Sequence, residues 1–285
     1  MGRHRLTWLD VFADGPLRGN PLAVVHDADG LDEATMLAFA RETGLSETTF
    51  VQAATDPGAD YRNRIFDPRQ ELRFAGHPSL GTAIAVARAR EEPTASYVQQ
   101  TPAGLQPIDV ALEQDGLRAR ASMLHEAATF GPELDAAETL AHAGLSGEDA
   151  DLALPVQVVG AGVAQVIAPV RADALARAVP DYARIQALLD RFGAIVLYLA
   201  ACDPAHGRAR ARAFAHTADM GEDPATGSAA APLMAYLRAR AGAERLEIDQ
   251  GLEMGRPSRL TCAMEGDRPR VGGDAAIVIE GEVVL

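Results

Sequence analysis

Two stretches of this 285-residue chain read as helices with almost no polar side: "SLGTAIAVA" (79–87) and "SAAAPLMAYL" (228–237). A surface helix carries a polar face, whereas one that is apolar all round is buried on every side. Each of these helices therefore needs an enclosing shell. Each also follows a turn that carries glycine and proline, "FAGHP" (74–78) and "EDPATG" (222–227).

The surrounding sequence supplies strands for such a shell. In the first half, "LTWLDVFA" (6–13), "PLAVVHD" (21–27), "ETTFVQAAT" (47–55) and "YRNRIFD" (61–67) read as strands. A helix over 31–44 ends at Gly44, and further strands fall near 96–101 and 107–113. The second half repeats the order: strands in "VQVVGAG" and "AQVIAPV", helices in "RADALARAV" (171–179) and "DYARIQALLDRFG" (181–193), and strands in "AIVLYLAA" and "RARAFAHTA" (210–218). The second apolar helix follows, then strands in "RLEIDQG" and "SRLTCAM". Laying the turns side by side puts Pro78 on Pro224, Gly81 on Gly227, Thr82 on Ser228 and His77 on Asp223, an offset of 146 residues. Two similar halves follow from this.

The predicted fold is α+β, with two pseudo-symmetric domains, each a strand-rich, barrel-like sheet around a central apolar helix. Residues 1–120 form the N-terminal domain and 121–275 the C-terminal one. The last strand, 276–285, crosses back to the first. A cleft between two such domains is a common place for a small-molecule site, and both helix starts are expected to face it.

Composition removes several functions. The net charge is −14, which repels a phosphate backbone and argues against nucleic-acid binding. No apolar run reaches the ~18 residues of a membrane span, and the N-terminus lacks a signal-peptide pattern, so a cytoplasmic protein is expected. All 26 basic residues are arginine. Without lysine there is no Schiff base, no pyridoxal phosphate anchor and no Walker-type phosphate loop. Cys202 and Cys262 lack metal-ligand spacing, and the histidines form no HxH or HExxH pattern, so neither metal nor cofactor is expected. "VVGAGVAQ" lacks the third glycine of a dinucleotide fingerprint.

Five ordered segments resemble the PhzF family, named for phenazine biosynthesis: "DVFADGPLRGNPLAVV", "LSETTFV" (45–51), "FAGHPSLGTA" (74–83), "EDPATGSA" (222–229) and "QGLEMGRPSRL" (250–260). Ser79 stands where the family more often has threonine. The resemblance implies a diaminopimelate-epimerase-like fold, a homodimer, and catalysis without cofactor or metal. It implies an isomerase that shifts a proton within a small amino- or hydroxycarboxylate, the founding activity being isomerisation of trans-2,3-dihydro-3-hydroxyanthranilate. It places Glu47 at the proton-shuttling glutamate, and His77, Asp223 and Ser228 at the other active-site positions. The epimerases of this fold carry a cysteine on each turn. Neither turn here has one, so a thiol-based racemase is not expected.

Each residue also has an ordinary reading. Glu47 is a strand-end acid, or a carboxyl that takes a proton and gives it back. His77 is a turn histidine, or a residue that holds substrate or passes a proton. Asp223 is an acid favoured by a helix dipole, or the partner of a substrate ammonium. Ser228 and Thr82 are caps, or share the helix starts with a substrate carboxylate. Gly76, Gly227 and Ser79 join the expected substrate-binding set, where glycine lets the backbone approach a ligand. Arg256 is left outside the site. Two alternatives stay open: an epimerase or racemase of another small acid, and a non-catalytic binding protein of the same fold. A serine hydrolase built on Ser228, His77 and Asp223 is disfavoured because no G-x-S-x-G elbow is present.

Overall fold

A computed structural model describes residues 2–215 and 221–285. The chain forms two compact units, Met1–Met123 with Gly272–Leu285, and Leu124–Val271. The first contains β1 (Arg3–Val11), β2 (Asn20–Val25), α1 (Glu33–Thr43), β3 (Thr48–Gln52), β4 (Tyr61–Phe66), β5 (Glu71–Leu72), α2 (Gly76–Arg90), β6 (Thr94–Thr101), β7 (Gly104–Leu112) and β8 (Arg118–Leu124). The second contains β9 (Thr129–Glu133), α3 (Ala136–Ala141), β10 (Gln157–Gly160), β11 (Ala164–Pro169), α4 (Ala172–Leu175), α5 (Tyr182–Phe192), β12 (Ala194–Asp203), β13 (Arg208–Ala215), β14 (Glu222–Asp223), α6 (Gly227–Ala241), β15 (Arg245–Gln250) and β16 (Ser258–Glu265). The final strand, β17 (Arg268–Val284), starts in the second unit and ends in the first.

In the first unit the strands close on themselves. Pairing runs β1–β2, β2–β3, β3–β4, β4–β6, β6–β7, β7–β8, β8–β17 and back to β1. The β2–β3 and β4–β6 pairs are parallel, whereas β1–β2, β3–β4, β6–β7, β7–β8 and β1–β17 are antiparallel. Closure leaves this barrel no free edge of unpaired backbone groups. Helix α2 packs against β1, β2, β3, β4, β6 and β7, and is buried from Gly76 to Ala87. It fits there because it is built of small residues. A Cβ on Gly81 would lie 2.6 Å from Leu22 Cδ2 and 2.9 Å from Val11 Cγ2, so glycine is what lets the helix approach the β1–β2 wall.

The second unit repeats the scheme. Its pairing runs β9–β10–β11–β12–β13–β15–β16, with parallel pairs at β11–β12 and β13–β15. Helix α6 is buried at Gly227 and from Ala229 to Leu237. A second apolar cluster lies beneath α5, where Ile185 and Leu189 meet Val166, Leu197, Leu199 and Phe214. The α+β class and the apolar central helices expected from the sequence are thus present.

Three details differ from the sequence reading. The central helices begin at Gly76 and Gly227, 151 residues apart, and β5 and β14 keep the same spacing. The offset of 146 fails because it matched two glycines with different work: Gly81 is a mid-helix packing glycine and Gly227 opens a helix. In the corrected register Ser228 is the counterpart of His77, and Asp223 that of Leu72. "RADALARAV" yields only the single turn of α4, and β5, β8, β9, β14 and α3 add to the elements read from the sequence. The strand read over 210–218 is observed to Ala215; residues 216–218 lie outside the described residues.

Candidate active site

Glu47 owes its position to how α1 ends. Asp32 caps the start of α1, accepting from the Thr35 N–H at 2.8 Å. Gly44 ends it in the left-handed conformation that glycine adopts without strain. Four residues later the chain enters β3. Thr43 Oγ1 and Thr48 Oγ1 are 2.9 Å apart, which ties the end of the helix to the start of the strand. Glu47 is held between these two points, 8% exposed. In the second unit α5 ends at Gly193 in the same conformation, but no acid follows before β12.

His77 is the second residue of α2 and is 6% exposed. Its Nε2 lies 3.4 Å from Glu47 Oε2, within ion-pair reach but not aligned as a hydrogen bond. Burial pushes the imidazole down to about 3, so it is neutral at physiological pH.

On the other side of the ring, Asn20 Nδ2 is 3.2 Å from His77 Nδ1. Asn20 opens β2 and is fully buried. The preceding Gly19 has φ 64°, and a Cβ there would lie 2.3 Å from the Val11 carbonyl oxygen. Only glycine fits, which gives the Gly-Asn-Pro segment a physical reason: it delivers Asn20 to the imidazole. Asn20 is a site residue that the sequence alone does not single out. The signal that could have found it is a small amide directly after an obligatory glycine.

Ser79 has its hydroxyl engaged inside the unit. It donates to the Ala75 carbonyl at 2.7 Å and accepts from Gln99 Nε2 at 2.7 Å. Gln99 in turn accepts from Asn63 Nδ2 at 3.0 Å. Thr82 donates to Thr49 Oγ1 at 2.8 Å. Gly76 opens α2, whose N-cap Ala75 offers no side-chain cap, and Pro78 removes one further donor from the first turn.

In the second unit, Asp223 ends β14 and accepts a short hydrogen bond from Thr226 Oγ1. Gln250 Nε2 donates to the Asp223 carbonyl at 2.7 Å and to Thr226 Oγ1 at 3.0 Å. Tyr198 donates to Gln250 Oε1 at 2.9 Å, which holds that amide in orientation. Gly227 and Ser228 are the first two residues of α6, and the N-cap Thr226 makes no side-chain cap bond. Among the described residues the Ser228 hydroxyl makes no hydrogen bond, so no triad with a histidine is formed. The Ser228 carbonyl would ordinarily accept from residue 232, but that is proline. Gln165 Nε2 supplies the missing donor at 3.3 Å.

Both turns are braced by an arginine. Arg212 forms a bidentate pair with Glu222 at 2.8 Å on each arm, and its other nitrogen donates to the carbonyls of Leu175 and Ala178. Arg64 pairs with Glu71 in the same way, at 2.8 and 2.6 Å. Glu71 and Glu222 occupy matching places on β5 and β14, so each clamp fixes the hairpin just before a central helix. Cys202 and Cys262 are not in either cluster; burial pushes both thiols up to about 12. Among the described residues no group of three or more metal-ligating side chains is found, and no helix is long and apolar enough to cross a membrane.

Comparison with known proteins agrees with this arrangement. The family model for phenazine biosynthesis-like proteins, PhzC-PhzF, matches residues 9–281. The chain is 39% identical to trans-2,3-dihydro-3-hydroxyanthranilate isomerase of Pseudomonas aeruginosa, covering 99% of this chain and 100% of that protein. It superimposes on the structure of a predicted epimerase from Pseudomonas aeruginosa with a TM-score of 0.86 at 34% identity, covering 99% of each chain. A Bacillus anthracis phenazine biosynthesis protein of the PhzF family gives the same TM-score at 28% identity, covering 100% of both chains. The chain therefore belongs to the PhzC-PhzF family of phenazine biosynthesis-like proteins and is an isomerase.

Proposed function

We propose that this isomerase shifts a proton between two carbons of a small amino- or hydroxycarboxylate, with Glu47 as the single carrier and without a cofactor. The observation that supports it best is the buried Glu47–His77 pair at 3.4 Å. Glu47, ionised, takes the proton from one carbon. The electron pair released by that C–H bond moves along the conjugated system, and the acid then returns the proton at its far end. Proton and electrons balance with no outside reactant, and one carboxyl does both steps. The neutral His77 steadies the carboxylate between them. The uncapped start of α2 suits a substrate carboxylate, since free N–H groups and the helix dipole both favour an anion there, and α6 begins in the same uncapped way. Asp223 is proposed to face the substrate ammonium. Ser228, with its unengaged hydroxyl, is a better candidate for substrate contact than Ser79.

By its relation to the Pseudomonas aeruginosa enzyme, trans-2,3-dihydro-3-hydroxyanthranilate is the substrate to try first. The test is Glu47→Gln assayed with that compound. Turnover should fall by ~10²-fold or more, with thermal unfolding little changed. Near-normal turnover would end the assignment of Glu47. The same reading takes the protein as a homodimer; light scattering at micromolar concentration giving only the 30.0 kDa monomer would contradict that.

A further inference from the structure

We propose that Asn20 is a positioning residue that locks the tautomer of His77, so that Glu47 rests as a base rather than as an acid. This rests on the reading of Glu47 as the proton carrier. The observation is the line of three buried groups drawn from three separate segments: Asn20 Nδ2 at 3.2 Å from His77 Nδ1, and His77 Nε2 at 3.4 Å from Glu47 Oε2. An amide nitrogen only donates, so Nδ1 must present its lone pair to Asn20. A neutral imidazole has one proton, which then sits on Nε2, the nitrogen 3.4 Å from Glu47 Oε2. An ionised carboxylate only accepts, so an Nε2–H is the form that suits Glu47 at this distance, and the Asn20 donor and the Glu47 acceptor favour the same tautomer. The imidazole is buried, and its environment keeps it neutral.

The opposite arrangement fails at Asn20. A protonated Glu47 turned to donate toward Nε2 would force the imidazole proton onto Nδ1. That N–H would then meet the amide N–H of Asn20 head-on, leaving a buried donor without an acceptor. Asn20 therefore penalises any state in which Glu47 donates to His77. Once Glu47 has taken the substrate proton, that proton has no favourable resting place on the histidine, and its way out is back to the substrate. The amide thus makes His77 a support for the carboxylate and not a second proton store. Asn20 itself holds no proton in the reaction and acts only through His77.

The test uses full-length protein labelled with [15N]histidine, without substrate, at neutral pH. A His77→Gln sample identifies the His77 signals by their loss. The structure predicts a neutral ring protonated at Nε2, with the unprotonated nitrogen at Nδ1. Asn20→Asp is nearly isosteric but replaces the donor by an acceptor. It should move the proton to Nδ1, either as the other tautomer or as a doubly protonated ring. A wild-type ring protonated at Nδ1 overturns the lock, and this reading holds even if the variant does not fold. A folded Asn20→Asp protein with an unchanged His77 spectrum overturns it equally. These spectra need no turnover, so they separate the lock from the role of Glu47. Active Glu47→Gln enzyme would end the proton-carrier reading while leaving the tautomer measured.

Discussion

His77 Nε2 and Glu47 Oε2 stand 3.4 Å apart in the first unit, both side chains nearly removed from water. The pair is joined across 30 residues of sequence by the return of the chain from β3 to the start of α2. A histidine buried in this way makes folding depend on pH. Its folded value is about 3 against an ordinary 6.5. The unfolded chain therefore binds the extra proton first as pH falls, and stability drops with it. His26 and His125, each pushed down to about 4 by burial, act in the same direction. Stability should thus be held above about pH 6.5 and decline between there and about pH 3. Denaturant melts across that range should show the decline. His77→Gln should flatten part of it, and an unchanged slope would count against the buried neutral histidine.

The Arg212–Glu222 clamp gives a stability prediction. Both side chains are largely buried, and Arg212 also serves the carbonyls of Leu175 and Ala178. Glu222→Gln leaves a buried guanidinium without its counter-charge, which costs about 3–5 kcal/mol where a buried pair is broken. An exposed pair such as Arg3–Glu282 should be nearly neutral when Glu282 is changed to Gln. Equal small effects at the two sites would mean that the Arg212 clamp is wetter than the structure shows.

Pro232 and Gln165 should be coupled. Proline at 232 removes the helical partner of the Ser228 carbonyl, and Gln165 replaces it. Gln165→Leu should cost about 1–3 kcal/mol, the usual penalty for a buried polar group left unmet. In a Pro232→Ala background the helix supplies its own N–H, and the same change should cost clearly less. Thermal unfolding of the four proteins of this cycle gives the coupling directly. Additive costs would show that Gln165 does not stand in for the missing donor.

Much of this was legible in the chain because burial leaves a local mark. The absence of a polar face on 79–87 and 228–237 required enclosing shells, and strand runs around them supplied the order of elements. Glu47 and His77 lay within segments resembling a family, and the structure brings those two together. The equivalence of the two turns was not legible. A glycine that opens a helix and one that admits a neighbouring strand look alike in sequence, so Gly81 was matched to Gly227. Nor was the work of Asn20 and Gln165, whose partners lie 57 and 63 residues away. Side-chain pairing over such separations leaves no periodicity to read. Ser79 shows the converse: its place in a family motif suggested substrate contact, whereas its hydroxyl is spent on Ala75 and Gln99.

The most direct test of the central claim is proton transfer in D₂O. Trans-2,3-dihydro-3-hydroxyanthranilate carrying protium at the carbon that loses it would be converted by the native enzyme, and the product examined by NMR and mass spectrometry. One buried carboxyl that lifts a proton and returns it on the same face should deliver part of the original protium to the product, because Glu47 lies where solvent has little access. Retained protium at the new C–H position is the predicted result. Complete deuterium uptake with inversion at a single carbon would contradict it and point instead to two bases acting from opposite faces.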